Sequence, residues 1–112
     1  MKINVSEQVY RWILLRWMES IVRISSDKWD NVKVGSIIEV KSCGGEPDLK
    51  VKVISVTQST GIQSLVTCRN YLKVFPNSPS VGSAQFNIAQ SLKVSLHDLG
   101  NMYTLIEFVL LT

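Results

Sequence analysis

The sequence predicts an α+β fold, in which a small and mostly antiparallel sheet of five or six strands forms a β-barrel capped by two or three short helices. Three observations support this class. Short β-rich stretches are separated by glycine and proline turns of the hairpin type, and two stretches have helical spacing. A nearly continuous apolar run, Tyr103 to Leu111, is typical of a central strand covered on both faces. The length of 112 residues suits a single domain over 1–112.

Two helices are predicted from apolar spacing and from serine residues that suit the N-cap position. Ser6 precedes a helix over 7–18, and Ser80 precedes a helix over 81–92. The apolar stripe of the first helix consists of Val9, Tyr10, Ile13, Leu14 and Trp17. Trp12 falls off that stripe, so we expect this side chain to be partly exposed.

Alternating and β-branched residues predict the strands. Their expected bounds are Lys2 to Val5, 20–25, Ile37 to Lys41, Leu49 to Thr57 and Tyr103 to Leu111. Cys43 to Asp48 contains two glycines and a proline, which indicates the loop of a β-hairpin. On the return strand, period-two spacing places Val51, Val53 and Ser55 on one face.

Composition favours a globular protein without a metal or cofactor. The chain is 46% hydrophobic with a net charge of +3, which permits a nucleic-acid partner without requiring one. Cys43 and Cys68 are too few for a zinc cluster and are expected to be free thiols. His97 and Asp98 are adjacent, so their side chains would point apart rather than form a catalytic dyad. With no signal-peptide pattern and no apolar run of roughly 18 residues, we expect a cytoplasmic protein without membrane contact.

Several motifs along the chain are similar to those of one known family. They comprise Tyr10 and Ile13 on the first helix, Arg23, the charged pair Asp27 and Lys28, and the strand entry Lys33-Val34-Gly35-Ser36. In this order and spacing they resemble the ASCH family of the PUA-like superfamily. That family has Gly-x-Lys-Thr-x-Glu-x-Arg before a charged stretch and a Lys-x-Gly-Asp strand entry. The resemblance covers most of the chain and implies an ASCH-type barrel.

The chain departs from that family at the positions linked to catalysis. Aligned through Arg23, the family's glycine, lysine, threonine, glutamate and final aspartate correspond to Arg16, Met18, Glu19, Ile21 and Ser36. Some ASCH proteins are small amidohydrolases that act on acetylated cytidine nucleosides, with the lysine and threonine implicated in catalysis. Methionine and isoleucine can be neither nucleophile nor general base. We therefore name no catalytic residue and lean away from an enzyme, with Glu19 as the one possible base.

The best functional hypothesis is a binding module for RNA or a nucleotide. Cations attract phosphate and aromatic rings stack on unpaired bases, and PUA-like domains often bind RNA. The candidate ligand-binding residues are Arg16, Arg23, Lys28, Trp12 and Trp29. We expect Arg23 and Lys28 to contact phosphate or a base edge in a cleft between the first helix and strand 20–25, beside Gly35. The simpler alternative is that Trp17 and Trp12 are core residues and the charges are solvated.

Two other functions stay open. A domain that keeps a family fold without its reactive residues could be an inhibitor or adaptor, possibly encoded by a phage or mobile element, with a protein partner. Trp12, Trp29 and Tyr71 could then supply the anchors of the interface. The second alternative is an amidohydrolase that acts on modified nucleosides. The salt dependence of binding distinguishes the protein-partner alternative from RNA binding, because contacts to phosphate weaken steeply as ionic strength rises.

Overall fold

The computed structural model describes residues 1–97 and 100–111, and it describes Asp27 through its backbone alone. Within these residues the strands are β1 (Lys2–Val5), β2 (Ser20–Ile24), β3 (Ile37–Ser42), β4 (Leu49–Ser59) and β5 (Tyr103–Leu111). The helices are α1 (Glu7–Leu14), α2 (Asp27–Asp30), α3 (Ile62–Leu65), α4 (Tyr71–Val74) and α5 (Val81–Ser91). The predicted α+β class is confirmed, and α2, α3 and α4 are single turns.

One curled sheet with the strand order β1-β3-β4-β5-β2 forms a half-barrel. β1 runs parallel to β3, while the other neighbouring strands are antiparallel, as the hairpin-type connections predicted. Gly35 forms the turn before β3 with a φ of 93°, a conformation that glycine adopts without strain. The Gly35 N–H donates to the Val53 carbonyl at 2.8 Å, which joins this turn to β4.

The sheet separates two hydrophobic cores, and β5 contributes to both. Ile106 and Phe108 pack on one face with α1 and β1, while Tyr103 and Leu105 pack on the other face with α3, α4 and α5. Alternate residues of a strand point to opposite faces, so a strand between two cores is apolar at nearly every position. The prediction of a central strand over Tyr103–Leu111 is therefore confirmed.

A β-bulge in β4 corrects the predicted face of one residue. The pairing with β5 shifts between Val53 and Ser55, so Ile54 is an extra residue in the ladder. Beyond the bulge the alternation is inverted, and Val56 packs against the core that buries Val51 and Val53. The prediction that Ser55 shares their face is therefore wrong, because strict period-two spacing cannot anticipate an inserted residue.

The first helix is shorter than its apolar spacing predicted. The Ser6 hydroxyl accepts from the Val9 N–H at 3.2 Å, which confirms the N-cap. The helix ends after Leu14 because Arg16 has a φ of 62°, and the Trp17 N–H donates to the Trp12 carbonyl. This is a Schellman C-cap. It turns the chain away from the helix axis and leaves Leu14 and Trp17 exposed, so their predicted place in the core is wrong.

The second long helix ends in the same way. Ser80 caps the start of α5, where its hydroxyl accepts from the Ser83 N–H at 3.1 Å. Lys93 follows the helix with a φ of 59°, and the next N–H, from Val94, donates to the Ala89 carbonyl. Both C-caps therefore use a cationic residue where glycine is the usual choice.

Two further predictions concern the thiols and the membrane. Cys43 and Cys68 are both exposed and free, as the sequence predicted. Among the described residues, no helix is long and apolar enough to cross a membrane.

The two-sided burial of β5 predicts a large difference between two isoleucines. Ile106 is 0% exposed, whereas Ile54 at the bulge is 51% exposed. We expect Ile106→Ala to lower the free energy of unfolding by about 2–5 kcal/mol through lost burial and a residual cavity. The matched Ile54→Ala change is expected to lower the free energy of unfolding by about 0.5 kcal/mol. Urea denaturation followed by circular dichroism measures both, and equal losses would contradict the assignment of β5 as the central strand.

The left-handed conformation of Lys93 predicts a stabilising glycine. Lys93→Gly relieves the steric cost of a positive φ, and we expect it to raise the free energy of unfolding by about 0.5–1 kcal/mol. Lys52→Gly is the control, since Lys52 lies in β4, and glycine in an extended strand is expected to lower stability by about as much. Thermal unfolding of the two variants checks the opposite signs.

Candidate functional site

A cleft of about 320 Å³ lies between the two edge strands of the half-barrel. β1 contributes Asn4 and Val5, and β2 contributes Val22 and Arg23. The remaining wall comes from α1 and from the segments of α4 and α5, and it is mainly apolar. The cleft thus occupies the gap that pairing of β1 with β2 would close in a complete barrel, and it lies between α1 and β2 as predicted.

Arg23 is the charged residue in the lining of this cleft. The side chain is half-buried, and the loss of hydration lowers the pKa of its guanidinium below the usual arginine value. Its Nη1 donates to the Val22 carbonyl at 2.9 Å. Among the side chains that the structure describes, no carboxylate forms an ion pair with it. The cleft therefore contains a partly desolvated positive charge.

Trp29 supports Arg23 from the side of the core. The single turn of α2 follows β2 and buries Trp29 to 8% exposure. The Arg23 guanidinium carbon lies 5.8 Å from the centre of the indole ring, and the Lys28 ammonium lies 5.3 Å from it. Both are cation–π distances. The structure thus brings together three of the five candidate residues, but it leaves little of the Trp29 ring exposed for a base.

Trp12 is the aromatic residue that shares the cleft with Arg23. It projects from α1, is half-buried, and packs edge-on against Phe75 with ring centres 5.5 Å apart and planes at 64°. Its indole Nε1 is buried, and no hydrogen-bond partner for it is found among the described residues. Trp12 was predicted to be partly exposed, and it lies within the cleft rather than on an open helix face.

Two features of the predicted site lie elsewhere. Arg16 is exposed at the C-cap of α1 and does not line the cleft. Gly35 is also absent from the lining, since its turn is bonded to β4. This cleft therefore does not extend to Gly35, whereas a separate depression next to that turn is lined by Lys28 and Ser36.

At the positions that align with the ASCH catalytic residues, two side chains are buried in the protein and a third forms an ion pair. Met18 is buried in the core that contains Ile106 and Phe108, and it also lines the cleft. Ile21 belongs to the same core and is 1% exposed. Glu19 forms an exposed ion pair with Lys73, with Oε1 and Nζ 2.7 Å apart. His97 is exposed, and its sequence neighbour Asp98 lies outside the described residues. The described residues include no group of three or more His, Cys, Asp or Glu side chains that could hold a metal ion.

Sequence reasoning missed the lining residues from the other elements. Asn4 lies on β1, Phe75 follows α4, and Ser91 ends α5. These residues share no motif or spacing, and only the folding of three distant segments around the gap between the two sheet edges places them together. No local signal in the sequence could have identified them.

The fold is similar to those of several solved structures, three of which match over most of this chain. The crystal structure of the hypothetical protein PH0355 has a TM-score of 0.69 at 17% identity, over 99% of this chain and 100% of the other. The solution structure of PF0455 from Pyrococcus furiosus has a TM-score of 0.63 at 18% identity, over 99% and 98%. An ASCH domain from Lactobacillus crispatus has a TM-score of 0.62 at 15% identity, over 89% and 68%.

By sequence, neither a family profile nor a curated protein matches the chain. The three structural matches nevertheless cover most or all of this chain, and one of them is an ASCH domain. The chain therefore has the fold of an ASCH domain, as the motifs around Arg23 and Gly35 predicted.

The different environments of the tryptophans predict their responses to a quencher. Trp17 is 51% exposed, while Trp29 is buried in the core. Trp17→Phe should remove the most accessible indole and so lower the Stern–Volmer constant for acrylamide quenching. Trp29→Phe is the matched control and should raise the mean constant, because the remaining indoles are more accessible. If Trp17→Phe raised the Stern–Volmer constant and Trp29→Phe lowered it, the exposed position of Trp17 after α1 would be wrong.

Proposed function

We propose that this ASCH-type domain is a non-catalytic binding module whose cleft takes one nucleotide, either free or as one exposed unit of single-stranded RNA. The observation that carries the proposal is the position of Arg23 in a mainly apolar cleft beside Trp12. Apolar and aromatic walls suit the flat face of a base, and a guanidinium suits a phosphate or the acceptor edge of a base.

The size of the cleft restricts the ligand. Its 320 Å³ lies at the lower end of the range for small-molecule pockets, roughly 300–1,000 Å³. One small ligand fits such a volume, whereas a duplex requires an extended basic surface. None of the described lysines lines the cleft: Lys41 lies on β3, Lys50 and Lys52 lie on β4, and Lys93 follows α5. A flipped-out or terminal nucleotide is therefore the form of RNA that the proposal favours.

The electrostatics of the cleft support an anionic ligand. Arg23 has no described carboxylate partner, so an incoming phosphate would offset a charge that burial has already partly stripped of water. The Lys28 ammonium does not line the cleft, but it lies 5.3 Å from the centre of the Trp29 ring that Arg23 also approaches, and so adds a second positive charge in this region. We therefore expect the protein to contact one or two phosphates of the ligand rather than many phosphates along a strand.

Binding of a short fluorescently labelled oligouridylate, measured by anisotropy, tests the proposal. Two phosphate contacts on a single strand give a salt slope of about −1.4, hence a roughly sevenfold loss of affinity between about 50 and 200 mM salt. Arg23→Gln should weaken binding at low salt by about tenfold and reduce the slope to about −0.7. Arg69→Gln is the matched control, since this exposed arginine does not line the cleft.

Three results would contradict the proposal. The first is no binding at low salt of oligouridylate, of other short single strands or of free nucleotides. The second is equal affinity of the Arg23→Gln and wild-type proteins. The third is tighter binding of a closed hairpin without unpaired nucleotides. Circular dichroism of both arginine variants shows whether a loss of affinity reflects a loss of folding.

A protein-binding role is the second candidate, and one surface favours it. Trp17 and Leu72 are 51% and 47% exposed and line a shallow surface depression together with Lys73 and Pro76. An exposed tryptophan is typical of an interface anchor. As an inhibitor or adaptor, the domain would bind its partner with little salt dependence, unlike RNA. The amidohydrolase alternative depends on Glu19 alone, whose carboxylate is paired with Lys73.

A further inference from the structure

A second, shallower depression borders the cleft. We call it the Trp17 depression, and its lining residues are Trp17, Leu72, Lys73, Pro76 and Asn77. The cleft and the Trp17 depression share two segments of the chain. Of residues 12–18, two line the cleft and Trp17 lines the depression, and of residues 72–77, two line the cleft and four line the depression. The two sites therefore lie on opposite sides of one common wall.

The Trp17 depression exposes an aromatic ring that the cleft does not offer. Trp17 is 51% exposed, whereas Trp12 is half-buried in the cleft wall and Trp29 is 8% exposed. Leu72, at 47% exposure, adds apolar surface beside Trp17. An exposed indole ring is a surface on which an unpaired base can stack. Trp17 is therefore the tryptophan with the most surface available for a base.

Hydrogen bonds hold the backbone around Trp17 in place before any ligand binds. The Trp17 N–H donates to the Trp12 carbonyl at 2.9 Å, and the Lys73 ammonium donates to the Arg16 carbonyl. The Glu19 N–H donates to the Lys73 carbonyl at 3.0 Å. These bonds join the end of α1 to α4. Trp17 thus projects from a fixed backbone, which loses little conformational freedom on binding.

The charge around the Trp17 depression suits a negatively charged strand. Glu19 is the carboxylate beside it, and its charge is offset by Lys73, with Oε1 and Nζ 2.7 Å apart. Arg16 precedes Trp17, is exposed, and forms no ion pair with the side chains that the structure describes. A strand that continues from the cleft would therefore meet positive charge here. This charge and the wall shared with the cleft favour RNA over a protein at this surface.

We propose that the Trp17 depression is a second nucleotide subsite, where the base adjacent to the one in the cleft stacks on the indole ring of Trp17. This inference rests on the proposed function of the cleft and deepens it. It names the ligand as single-stranded RNA of at least two nucleotides, rather than a free nucleotide. Trp17 selects no particular base, because every base has a face that can stack.

Affinities for one-base and two-base probes test the inference. The probes are uridine 5′-monophosphate and diuridylate with a 5′-phosphate. We expect the wild type to bind the dinucleotide about tenfold more tightly, as one further stacked base allows. Trp17→Leu keeps an apolar side chain without the ring, and should lose that tenfold gain while its affinity for the mononucleotide is unchanged. Trp17→Phe keeps a ring and should retain most of the gain.

Two controls separate stacking from other causes of tighter binding. Phe86→Leu is the matched variant, because Phe86 is 59% exposed and lines neither the cleft nor the Trp17 depression, and it should bind like the wild type. A diuridylate that lacks one base keeps the charge of the dinucleotide, so wild-type and Trp17→Leu proteins should bind it equally. Stacking neutralises no phosphate, so Trp17→Leu should also keep the wild-type salt slope, which Arg23→Gln reduces.

The indole proton of Trp17 gives a direct readout by ¹⁵N–¹H correlation NMR. The chain has three tryptophans and hence three indole signals, and the Trp17→Phe spectrum identifies the signal of Trp17. The ring current of a stacked base should move this signal upfield on titration with the dinucleotide. Saturation with uridine 5′-monophosphate should leave it in place, because one base occupies the cleft alone.

The outcomes separate this inference from the function on which it rests. If Arg23→Gln weakens binding of both probes while Trp17→Leu binds the dinucleotide as tightly as the wild type, the cleft keeps its function and the Trp17 depression is left to a protein partner. A loss of affinity of Trp17→Leu for the mononucleotide as well would show that Trp17 supports the structure of the cleft, which also overturns the inference. If the wild type binds neither the dinucleotide nor any of the four nucleoside monophosphates, the inference and the function are both wrong.

Discussion

β5 is apolar on both faces, and the burial of both faces is the constraint on which the rest of the structure depends. Ile106 and Phe108 must be buried by elements packed on one face of the sheet, and Tyr103 and Leu105 by elements packed on the other face. The N-terminal half supplies the first cover with α1 and β1, and the segment after β4 supplies the second with α3, α4 and α5. A sheet covered in this way can tolerate short helices, because each helix has to bury only a few side chains.

The same arrangement explains why a cleft exists. β1 and β2 are the edges of the curled sheet, and their backbones do not pair with each other. An open sheet edge is normally protected by neighbouring elements. Here the end of α1 and the segments of α4 and α5 come together over the gap, and they leave a mainly apolar space with Arg23 in its wall. The cleft is thus a consequence of incomplete barrel closure.

A charge in such a wall needs support, because removal of water from a guanidinium is costly. The Val22 carbonyl and the Trp29 ring supply part of that support. Trp29 reaches Arg23 only because Ser26 to Asn31 forms a helical turn directly after β2. The aromatic residues of the region therefore have separate roles: Trp29 supports the cation from the core, while Trp12 shares the cleft with it.

How far the sequence predicts this protein differs between the fold and the site. Burial periodicity and caps are local properties, so they determined β1, β5 and both serine N-caps, whereas the ASCH-type fold was predicted from the resemblance of motifs to that family. Local patterns also identified Arg23 and Trp12. They could not determine where α1 ends, because the positive φ of Arg16 depends on a C-cap that apolar spacing does not encode.

Only the tertiary structure decided the rest. The bulge at Ile54 exchanges Ser55 for Val56 on one core face, and the turn at Gly35 pairs with Val53 and does not line the cleft. Asn4, Phe75 and Ser91 come from three distant parts of the chain, and they meet because two sheet edges and two helices close on one another. Such contacts depend on the packing of whole elements, a property that no short stretch of sequence contains.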